Sequence, residues 1–264
     1  MCIRHQRIGC VKNISPSQNQ CMIERSLNVL SIGLELRLDQ HNILPFPIAG
    51  IILAAGAASR MGQPKLLLPW KGEALIRHAA RTALIAGLNP VIVVTGAGAV
   101  EIQTALAGLS IQLVHNPDWK TGQSTSVRSG IQVLCSQPGN RAAPPRVGTG
   151  TIPQQTAVAV LEPALSQAVI FLLGDQPFVS PELIQALANT YVQTRPTILA
   201  PFVGEKRTNP VLFDRSIFEA LCQLQGDAGA RSIFTQYPPT PMPWPDERLL
   251  FDVDTPEDYR KLIG

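Results

Sequence analysis

The sequence contains no run of apolar residues long enough to cross a membrane. Its longest apolar runs are broken by glycine, proline or charge before they reach about 18 residues, the length that a membrane-spanning helix needs. It also lacks a concentrated basic stripe, because 22 basic and 19 acidic residues are scattered along 264 positions and leave a net charge of +3. Nucleic-acid-binding surfaces concentrate positive charge. We therefore expect no membrane segment, no nucleic-acid partner and a small anionic ligand.

Cysteine and histidine are scarce and dispersed. The five cysteines show no CxxC spacing and have no regular partners among the four histidines. This pattern indicates neither a zinc site nor a disulfide framework, and it fits the reducing cytoplasm. The four histidines are dispersed, and we expect them to be surface or core residues rather than a catalytic base.

From residue 47 onward, apolar runs of strand length alternate with amphipathic helical segments. The runs "IAGIILAA", "PVIVVTG" and "QAVIFLLGD" predict buried strands, and "EALIRHAARTALIAGL" places Leu75, Ala79 and Ala83 at helical spacing. The last segment, "LLFDVDTPEDYRKLIG", predicts a strand, a turn and a terminal helix. Strands separated by helices predict an α/β fold of three layers with a mainly parallel central sheet. Ligands then bind at the carboxyl ends of the strands.

Two segments fall outside this alternation. Residues 1–46 lack the apolar core and cleavage site of a signal peptide, and we expect them to be a disordered extension. Residues 136–157, "SQPGNRAAPPRVGTGTIPQQTA", are rich in Pro, Gly, Gln and Thr and predict a surface insertion. Residues 47–264 are expected to form a single domain that carries this insertion.

The stretch "IILAAGAASRMGQPK" combines a strand end, a turn with almost no side chains and two cations. Backbone N–H groups of residues 56–59 could approach a phosphate, and Arg60 and Lys65 could hydrogen-bond to a triphosphate. A plain glycine turn with two solvated cations is the alternative. The stretch is not a Walker A loop, because Lys65 follows Gly62 too late and no hydroxyl residue comes after it. It also lacks the glycine spacing of the dinucleotide fingerprint GxGxxG.

Two aspartates follow apolar runs. Asp175, in "FLLGDQP", could hold Mg²⁺ between the protein and phosphate oxygens, since Mg²⁺ takes one or two carboxylates plus substrate phosphates. The alternative is an aspartate in a turn before a helix. Asp254, in "FDVDTPEDY", precedes Thr255 and Pro256 and could be the N-cap of the terminal helix. Asp252 is expected to point to the opposite face of the predicted strand.

Six segments carry a resemblance to a known family. The first, "LAAGAASRMGQPKLLLP" at Leu53–Pro69, closely resembles the nucleotide-binding signature of the MobA-like nucleotidyltransferases, the family that contains molybdenum cofactor guanylyl- and cytidylyltransferases. The others are "GQSTSVRSG", "GDQP", "RTNPVLF", "LQGDAGARSIF" and "DVDTPEDY", and in the fourth segment Thr208 replaces the family's usual glycine. The resemblance covers about residues 48–263, apart from the insertion. It implies a Rossmann-like nucleotidyltransferase fold of the nucleotide-diphospho-sugar transferase type.

The resemblance also implies a role for each matching residue. Arg60, Lys65 and Asp175 would be catalytic, and Asp175 and Asp254 would hold Mg²⁺. The residues implied for nucleotide binding are Leu53, Ala54, Ala55, Gly56, Ser59, Arg60, Lys65 and Ser124. Those implied for binding the acceptor are Asn209, Pro210, Asp227 and Arg231.

The reaction that the resemblance implies joins a nucleotide to a phosphorylated acceptor. A phosphate oxygen of the acceptor would attack the α-phosphorus of a nucleoside triphosphate, and pyrophosphate would leave. Such a nucleophile is already an anion at neutral pH, so positioning and charge neutralisation would suffice without a general base. The AAG form of the first motif, with GDQP, is closer to cytidylyltransferases and points to CTP. The implied acceptor is molybdopterin (molybdenum cofactor), passed on to a molybdenum hydroxylase or its chaperone.

Two alternative functions share parts of this pattern. A sugar-1-phosphate nucleotidyltransferase would use the same fold, loop and Mg²⁺, but the combination of GDQP and GDxGAR argues against it. A non-catalytic molybdopterin-binding chaperone would not need Arg60, Lys65 and Asp175, all of which are present.

Overall fold

The computed structural model describes residues 46–56, 61–137 and 165–264, all within the unit Leu44–Gly264. The expected extension at residues 1–46 and the expected insertion at 136–157 lie almost wholly outside the described residues, as do Ser59 and Arg60. Within the described residues, no helix is both long enough and apolar enough to cross a membrane.

A central sheet of eight strands organises the described residues. Together with a small antiparallel hairpin of β2 and β3, the strands are β1 (Ile48–Ala54), β2 (Pro69–Trp70), β3 (Glu73–Ala74), β4 (Val91–Thr95), β5 (Gln112–His115), β6 (Ala168–Leu173), β7 (Ile198–Val203), β8 (Lys206–Arg207), β9 (Val211–Asp214) and β10 (Thr240–Pro243). The order across the sheet is β10, β7, β9, β6, β1, β4, β5, with β8 beside β7. Strand β9 runs antiparallel to β6 and β7, and β8 runs antiparallel to β7, whereas the other pairs are parallel. The predicted α/β fold with a mainly parallel sheet is confirmed.

Helices cover both faces of this sheet and complete three layers. They are α1 (Leu75–Ile85), α2 (Ala99–Ala105), α3 (Gln123–Ser136), α4 (Pro181–Thr194), α5 (Phe218–Cys222) and α6 (Pro256–Ile263). Side chains alternate across a strand, so Ile48 and Ile52 of β1 belong to the core that contains α1, α2 and α4. Ala49 and Ile51 belong to the core that contains α3 and α5. Strand β1 is therefore buried on both faces.

Hydroxyl side chains cap the starts of two helices. Ser180 caps α4, because its hydroxyl oxygen accepts a hydrogen bond from Leu183 N at 3.3 Å. Thr255 caps α6: Thr255 Oγ1 accepts from Asp258 N at 3.2 Å, and Asp258 Oδ2 accepts from Thr255 N at 2.9 Å. The N-cap of α6 is thus Thr255 rather than Asp254, whose carboxylate is left for other contacts.

The strand predicted at "LLFDV" is wrong. Glu247–Leu250 form a 3₁₀ turn, and residues 251–254 continue without a strand partner. The hydrogen bonds of this segment go to loops instead: Thr208 Oγ1 donates to Leu249 O at 3.2 Å, and Val253 N donates to Asp175 O at 3.0 Å. Conversely, the sequence does not predict β10, whose letters are "TPMP". Proline is tolerated there because β10 is the edge strand of the sheet.

Candidate active site

The candidate site lies at the carboxyl ends of three neighbouring parallel strands, β1, β4 and β6. The loops after β1 and β4 touch each other, because Ala97 N donates to Ala55 O at 3.2 Å. A Cβ atom on Gly96 would come within 2.6 Å of the same Ala55 oxygen, so only glycine fits there. The backbone at Ala55 and Gly56 is thereby held at the end of the sheet.

A second glycine brings Asp175 to the site. Gly174 follows β6, and a Cβ atom on it would lie 2.9 Å from Ile76 Cδ1 and 3.0 Å from Leu66 Cδ2. The missing side chain lets the turn before Asp175 pack on α1 and on the 3₁₀ turn Lys65–Leu67. As a result, Lys65 and Asp175 face each other although 110 positions separate them.

Lys65 joins two carboxylates at the centre of the site. Lys65 Nζ lies 2.5 Å from Asp175 Oδ2 and 2.7 Å from Asp254 Oδ1. The side chains of Lys65 and Asp175 are 18% and 17% exposed, whereas that of Asp254 is 47% exposed. Burial alone would lower the pKa of Lys65, but the charges and hydrogen bonds of Asp175 and Asp254 outweigh burial and raise that pKa. Lys65 is therefore a charged ammonium in this cluster.

A third carboxylate, Asp252, also belongs to the site. Gln176 Nε2 donates to Asp252 Oδ1 at 2.7 Å, and Asp252 lines the same cleft as Asp175 and Asp254. Burial raises the pKa of Asp252 against the hydrogen bond from Gln176, and the charges of Asp175 and Asp254 raise it further. The expectation that Asp252 points away was wrong, because that expectation assumed the alternation of a strand and this segment is not a strand.

A cleft of about 450 Å³ opens on the side of the glycine turn. Five of the residues implied for nucleotide binding line this cleft: Leu53, Ala54, Ala55, Gly56 and Lys65. It is also lined by Trp119 and Lys120, which the sequence did not single out, and by Gln123 and Ser126 of the "GQSTSVRSG" segment. We call this space the nucleotide cleft.

A neighbouring cleft of about 380 Å³ contains two of the four residues implied for the acceptor, Asn209 and Arg231. It is lined by Asn209 and Arg231, by Asp175, Asp252 and Asp254, and by Arg207 and the ring of Phe234. Asp175, Arg231, Gln123, Leu53 and Leu173 line both spaces, so the two clefts meet beside Asp175. We call this second space the acceptor cleft.

Two arginines lie close together in the acceptor cleft, which three aspartates also line. Arg207 lies over the ring of Phe234, with its guanidinium carbon 4.2 Å from the ring centroid. Burial, with the nearby charge of Arg231, lowers the pKa of Arg207. A like-charged pair in a half-buried cleft favours an anionic ligand. Sequence reasoning missed Arg207, although it is the first letter of the "RTNPVLF" segment.

The "GQSTSVRSG" and "LQGDAGARSIF" segments pack against each other. A Cβ atom on Gly122 would come within 2.6 Å of Gly226 O, and one on Gly229 would overlap the side chain of Gln123. Ser124 Oγ donates to Gly226 O at 2.5 Å, and Ser124 is buried. The hydroxyl of Ser124 thus ties the two segments together, and its neighbours Gln123 and Ser126 line the nucleotide cleft.

Asn116 fixes the loop that enters α3. Its side chain is 2% exposed, and its Nδ2 donates to Thr125 Oγ1 at 2.8 Å and to Ser126 Oγ at 3.0 Å. Asn116 Oδ1 accepts from Asp118 N at 3.0 Å. This buried network positions Trp119 and the start of α3 beside the nucleotide cleft.

The remaining predicted residues divide into three groups. Asp227 is exposed and lines the nucleotide cleft, whereas the sequence analysis assigned it to the acceptor. Pro210 is buried beside Asn209, and it is Asn209 that lines the acceptor cleft. Ser59 and Arg60 lie outside the described residues, so their predicted roles stay predictions.

The carboxylates fit a divalent cation. Asp175 Oδ1 is buried and has no hydrogen-bond partner among the described residues. A buried carboxylate oxygen without a partner is costly unless a ligand satisfies it. The described residues contain no group of three His, Cys, Asp or Glu side chains that would hold a metal by themselves. A hard cation here would therefore add water and phosphate oxygens to one or two aspartates, the coordination that Mg²⁺ prefers.

Comparison with known proteins agrees with this geometry. Residues 50–240 match the MobA-like NTP transferase domain. The chain is similar to nicotine blue oxidoreductase of Paenarthrobacter nicotinovorans, 31% identical over 229 residues that cover 82% of this chain and 96% of the relative. It is also similar to molybdenum cofactor cytidylyltransferase of Escherichia coli strain K12, 39% identical over 85 residues that cover 32% of this chain and 44% of the relative.

The fold recurs in solved structures. The structure of Rv0371c from Mycobacterium tuberculosis H37Rv superposes with a TM-score of 0.61 at 24% identity, covering 82% of this chain and 98% of that one. A structure of the same protein in complex with manganese gives a TM-score of 0.57 at 24% identity over 82% of this chain and 97% of that one. The match to the MobA-like NTP transferase domain, rather than the fold alone, identifies the chain as a nucleotidyltransferase. The chain belongs to the MobA-like NTP transferase domain family.

Proposed function

We propose that this nucleotidyltransferase transfers a nucleoside monophosphate from CTP to the terminal phosphate of molybdopterin (molybdenum cofactor). The observation that carries the proposal is the contact of Lys65 with Asp175 and Asp254 where the two clefts meet. Two substrates that occupied the two clefts would bring their reacting phosphates to this cluster. The cations on both sides are suited to two anionic substrates.

Each substrate is bound mainly by residues of its own cleft, and Arg231 lines both clefts. The backbone at Ala55 and Gly56, with Lys65 and the matching Ser59 and Arg60, binds the triphosphate. Arg207, Arg231 and Asn209 line the other cleft and bind the acceptor. Their positive charge holds the acceptor's phosphate while one of its oxygens forms a bond to the α-phosphorus. The bond from the α-phosphorus to the bridging oxygen breaks, and pyrophosphate carries away the electron pair.

Asp175 and Asp254 are the residues that would hold Mg²⁺. When bound, the cation neutralises charge on the phosphate oxygens of the nucleotide. The nucleophile needs no proton removed at neutral pH, so the protein's contribution is orientation and electrostatic stabilisation.

The choice of CTP and molybdopterin rests on sequence. The AAG form of the glycine turn and the GDQP motif favour CTP, and the Escherichia coli relative is named as a molybdenum cofactor cytidylyltransferase. A cytoplasmic location, with a molybdenum hydroxylase or its chaperone receiving the product, follows from the same function.

Pyrophosphate release tests the proposal. Purified protein with Mg²⁺ and molybdenum-loaded molybdopterin is expected to release pyrophosphate with CTP, and much less with GTP, ATP or UTP. Release with a different triphosphate would replace CTP by that nucleotide. Release with a sugar 1-phosphate but not with molybdopterin would favour the sugar-nucleotide reaction. Binding of molybdopterin without release would favour a chaperone.

Asp175→Asn provides the mutational test. The substitution keeps the shape of the side chain and removes its charge, so transfer should fall about 100-fold or more. Asp246→Asn is the matched control, because Asp246 pairs with Arg248 on the surface, outside both clefts. The far-UV circular dichroism of both variants should equal that of the parent protein. Substantial turnover by Asp175→Asn would remove Asp175 from the metal role.

A further inference from the structure

Lys65 contacts the carboxylates that the proposed function assigns to a divalent cation. Its ammonium lies within 2.7 Å of one oxygen from each of Asp175 and Asp254. A divalent cation that bound these same two oxygens would approach them more closely still, since Mg²⁺ binds oxygen at about 2.0–2.1 Å. The ammonium and such a cation therefore cannot occupy the space between the two carboxylates together.

We propose that Lys65 and the divalent cation exchange on this carboxylate pair. The cation displaces the ammonium from Asp175 and Asp254, and the released ammonium turns to the triphosphate in the nucleotide cleft. The inference rests on the proposed function, because it takes the two aspartates as the residues that hold the metal. It goes beyond that function by coupling the binding of the metal to the binding of the nucleotide through one side chain.

Charge repulsion favours the exchange. An ammonium and a divalent cation a few ångströms apart repel each other strongly, even at the effective dielectric constant of about 20 that suits partly buried sites. The ammonium and the divalent cation are attracted to the same three aspartates, since Asp252 lies near both Asp175 and Asp254. Whichever cation is bound to the pair thus weakens the binding of the other.

The position of Lys65 makes the exchange possible. Lys65 lines the nucleotide cleft together with Ala55 and Gly56. Its ammonium sits on a flexible stem of four carbons, so it can move without a change in the backbone. Its backbone is fixed by the 3₁₀ turn Lys65–Leu67, in which Leu66 is buried. The ammonium can therefore leave the carboxylates and still face the cleft.

The exchange predicts opposite effects of one substitution on two ligands. Lys65→Met keeps all but the last atom of the side-chain length and removes the charge. Without a competing ammonium, the aspartates should bind Mn²⁺ alone at least about tenfold more tightly than in the parent protein. Because the variant has no lysine ammonium to turn to the phosphates, it should bind inorganic tripolyphosphate more weakly than the parent protein does at saturating Mn²⁺. A purely structural role for Lys65 would weaken the binding of both ligands.

Both ligands can be measured without any substrate of the proposed reaction. Free Mn²⁺ is counted by electron paramagnetic resonance in titrations with no nucleotide, and retention of tripolyphosphate is measured by equilibrium dialysis. Lys71→Met is the matched control, because Lys71 is exposed, lines neither cleft, and has its ammonium over the Trp70 ring. It should leave Mn²⁺ affinity unchanged. Lys65→Gln is a second neutral variant, in case Lys65→Met unfolds.

The outcomes separate this inference from the proposed function. Tighter Mn²⁺ binding with weaker tripolyphosphate binding in the Lys65 variants would support the exchange, whichever nucleotide or acceptor the transfer assay identifies. Unchanged or weaker Mn²⁺ affinity would overturn it. An absence of Mn²⁺ binding in both the parent protein and the variants would also overturn the exchange. Unchanged tripolyphosphate binding would overturn it too, since the released ammonium would then have no partner.

Discussion

Replacing Gln176 tests how the C-terminal segment is held at the site. Gln176 is 5% exposed, and its Nε2 donates to Asp252 Oδ1 at 2.7 Å. Gln176→Met keeps the size of the side chain but removes this donor. A hydrogen bond to a charged acceptor contributes about 1.5–3 kcal/mol, and its loss leaves a partly buried carboxylate without that donor. The free energy of unfolding should therefore fall.

The amide oxygen of Gln176 reduces the expected loss of unfolding free energy. Gln176 Oε1 is buried and has no hydrogen-bond partner among the described residues. Removing an unsatisfied buried oxygen returns part of its desolvation cost, on the order of 1 kcal/mol. The net change expected at pH 7 is a loss of about 1–2 kcal/mol.

Urea unfolding at pH 7 measures this change. Gln236→Met is the control, since Gln236 is exposed and its Nε2 donates only to Tyr237 Oη, at 3.2 Å; its effect should stay within about 0.5 kcal/mol. Gln176→Glu would bring a carboxylate towards Asp252 and should destabilise the protein more than Gln176→Met does. Equal stability of the parent and Gln176→Met would refute the claim that this hydrogen bond holds the segment of Asp252 and Asp254.

Two further predictions concern stability. Tyr191→Phe should lower the free energy of unfolding, measured in urea, by about 1.5–3 kcal/mol. The buried hydroxyl that it removes donates to the Asp214 carboxylate, where β9 ends, and lies 2.9 Å from Gln167 O. Nucleotide transfer should be unaffected, since these groups lie at the opposite ends of the strands from the site. The pKa of Asp252 is raised in the folded state, so the folded protein holds the Asp252 proton at pH values where the unfolded chain has lost it. As the pH rises from the ordinary carboxyl pKa through the raised pKa, Asp252 must ionise in the folded state, and the free energy of unfolding falls. Asp252→Asn should therefore stabilise the protein more at pH 7 than at pH 4 in urea titrations, and a benefit that did not grow with pH would contradict the direction of the shift.

The layers of the fold could be predicted because their signals are local. Strands such as "PVIVVTG" are continuous β-branched runs, and α1 shows its buried face within eleven residues. Strand β9 could not be placed in this way, because its position between β6 and β7 depends on pairing across the sheet. The sequence pattern contains no direct information about that pairing.

The candidate site could be predicted in part for the same reason. The glycine turn and the aspartate after β6 follow from their position at strand ends, and the structure brings Lys65, Asp175 and Asp254 together, whereas their predicted roles stay predictions. Arg207 was missed because a single arginine before a strand is an ordinary surface residue until Phe234 and the second arginine are seen beside it. The contact of Gly122 with Gly226 likewise joins segments about one hundred residues apart.

The C-terminal motif shows how one short segment serves the fold and the site at once. The capping box of Thr255 and Asp258 begins α6 without using Asp254, and Asp258 Oδ2 also accepts from Asp254 N at 3.3 Å. Tyr259 Oη donates to Pro69 O at 2.8 Å and so anchors α6 to the hairpin that follows Lys65. The distance between Lys65 and Asp254 is therefore fixed from both sides by contacts that do not involve their charges. A site built in this way can exchange the cation between its carboxylates without losing the backbone positions that define it.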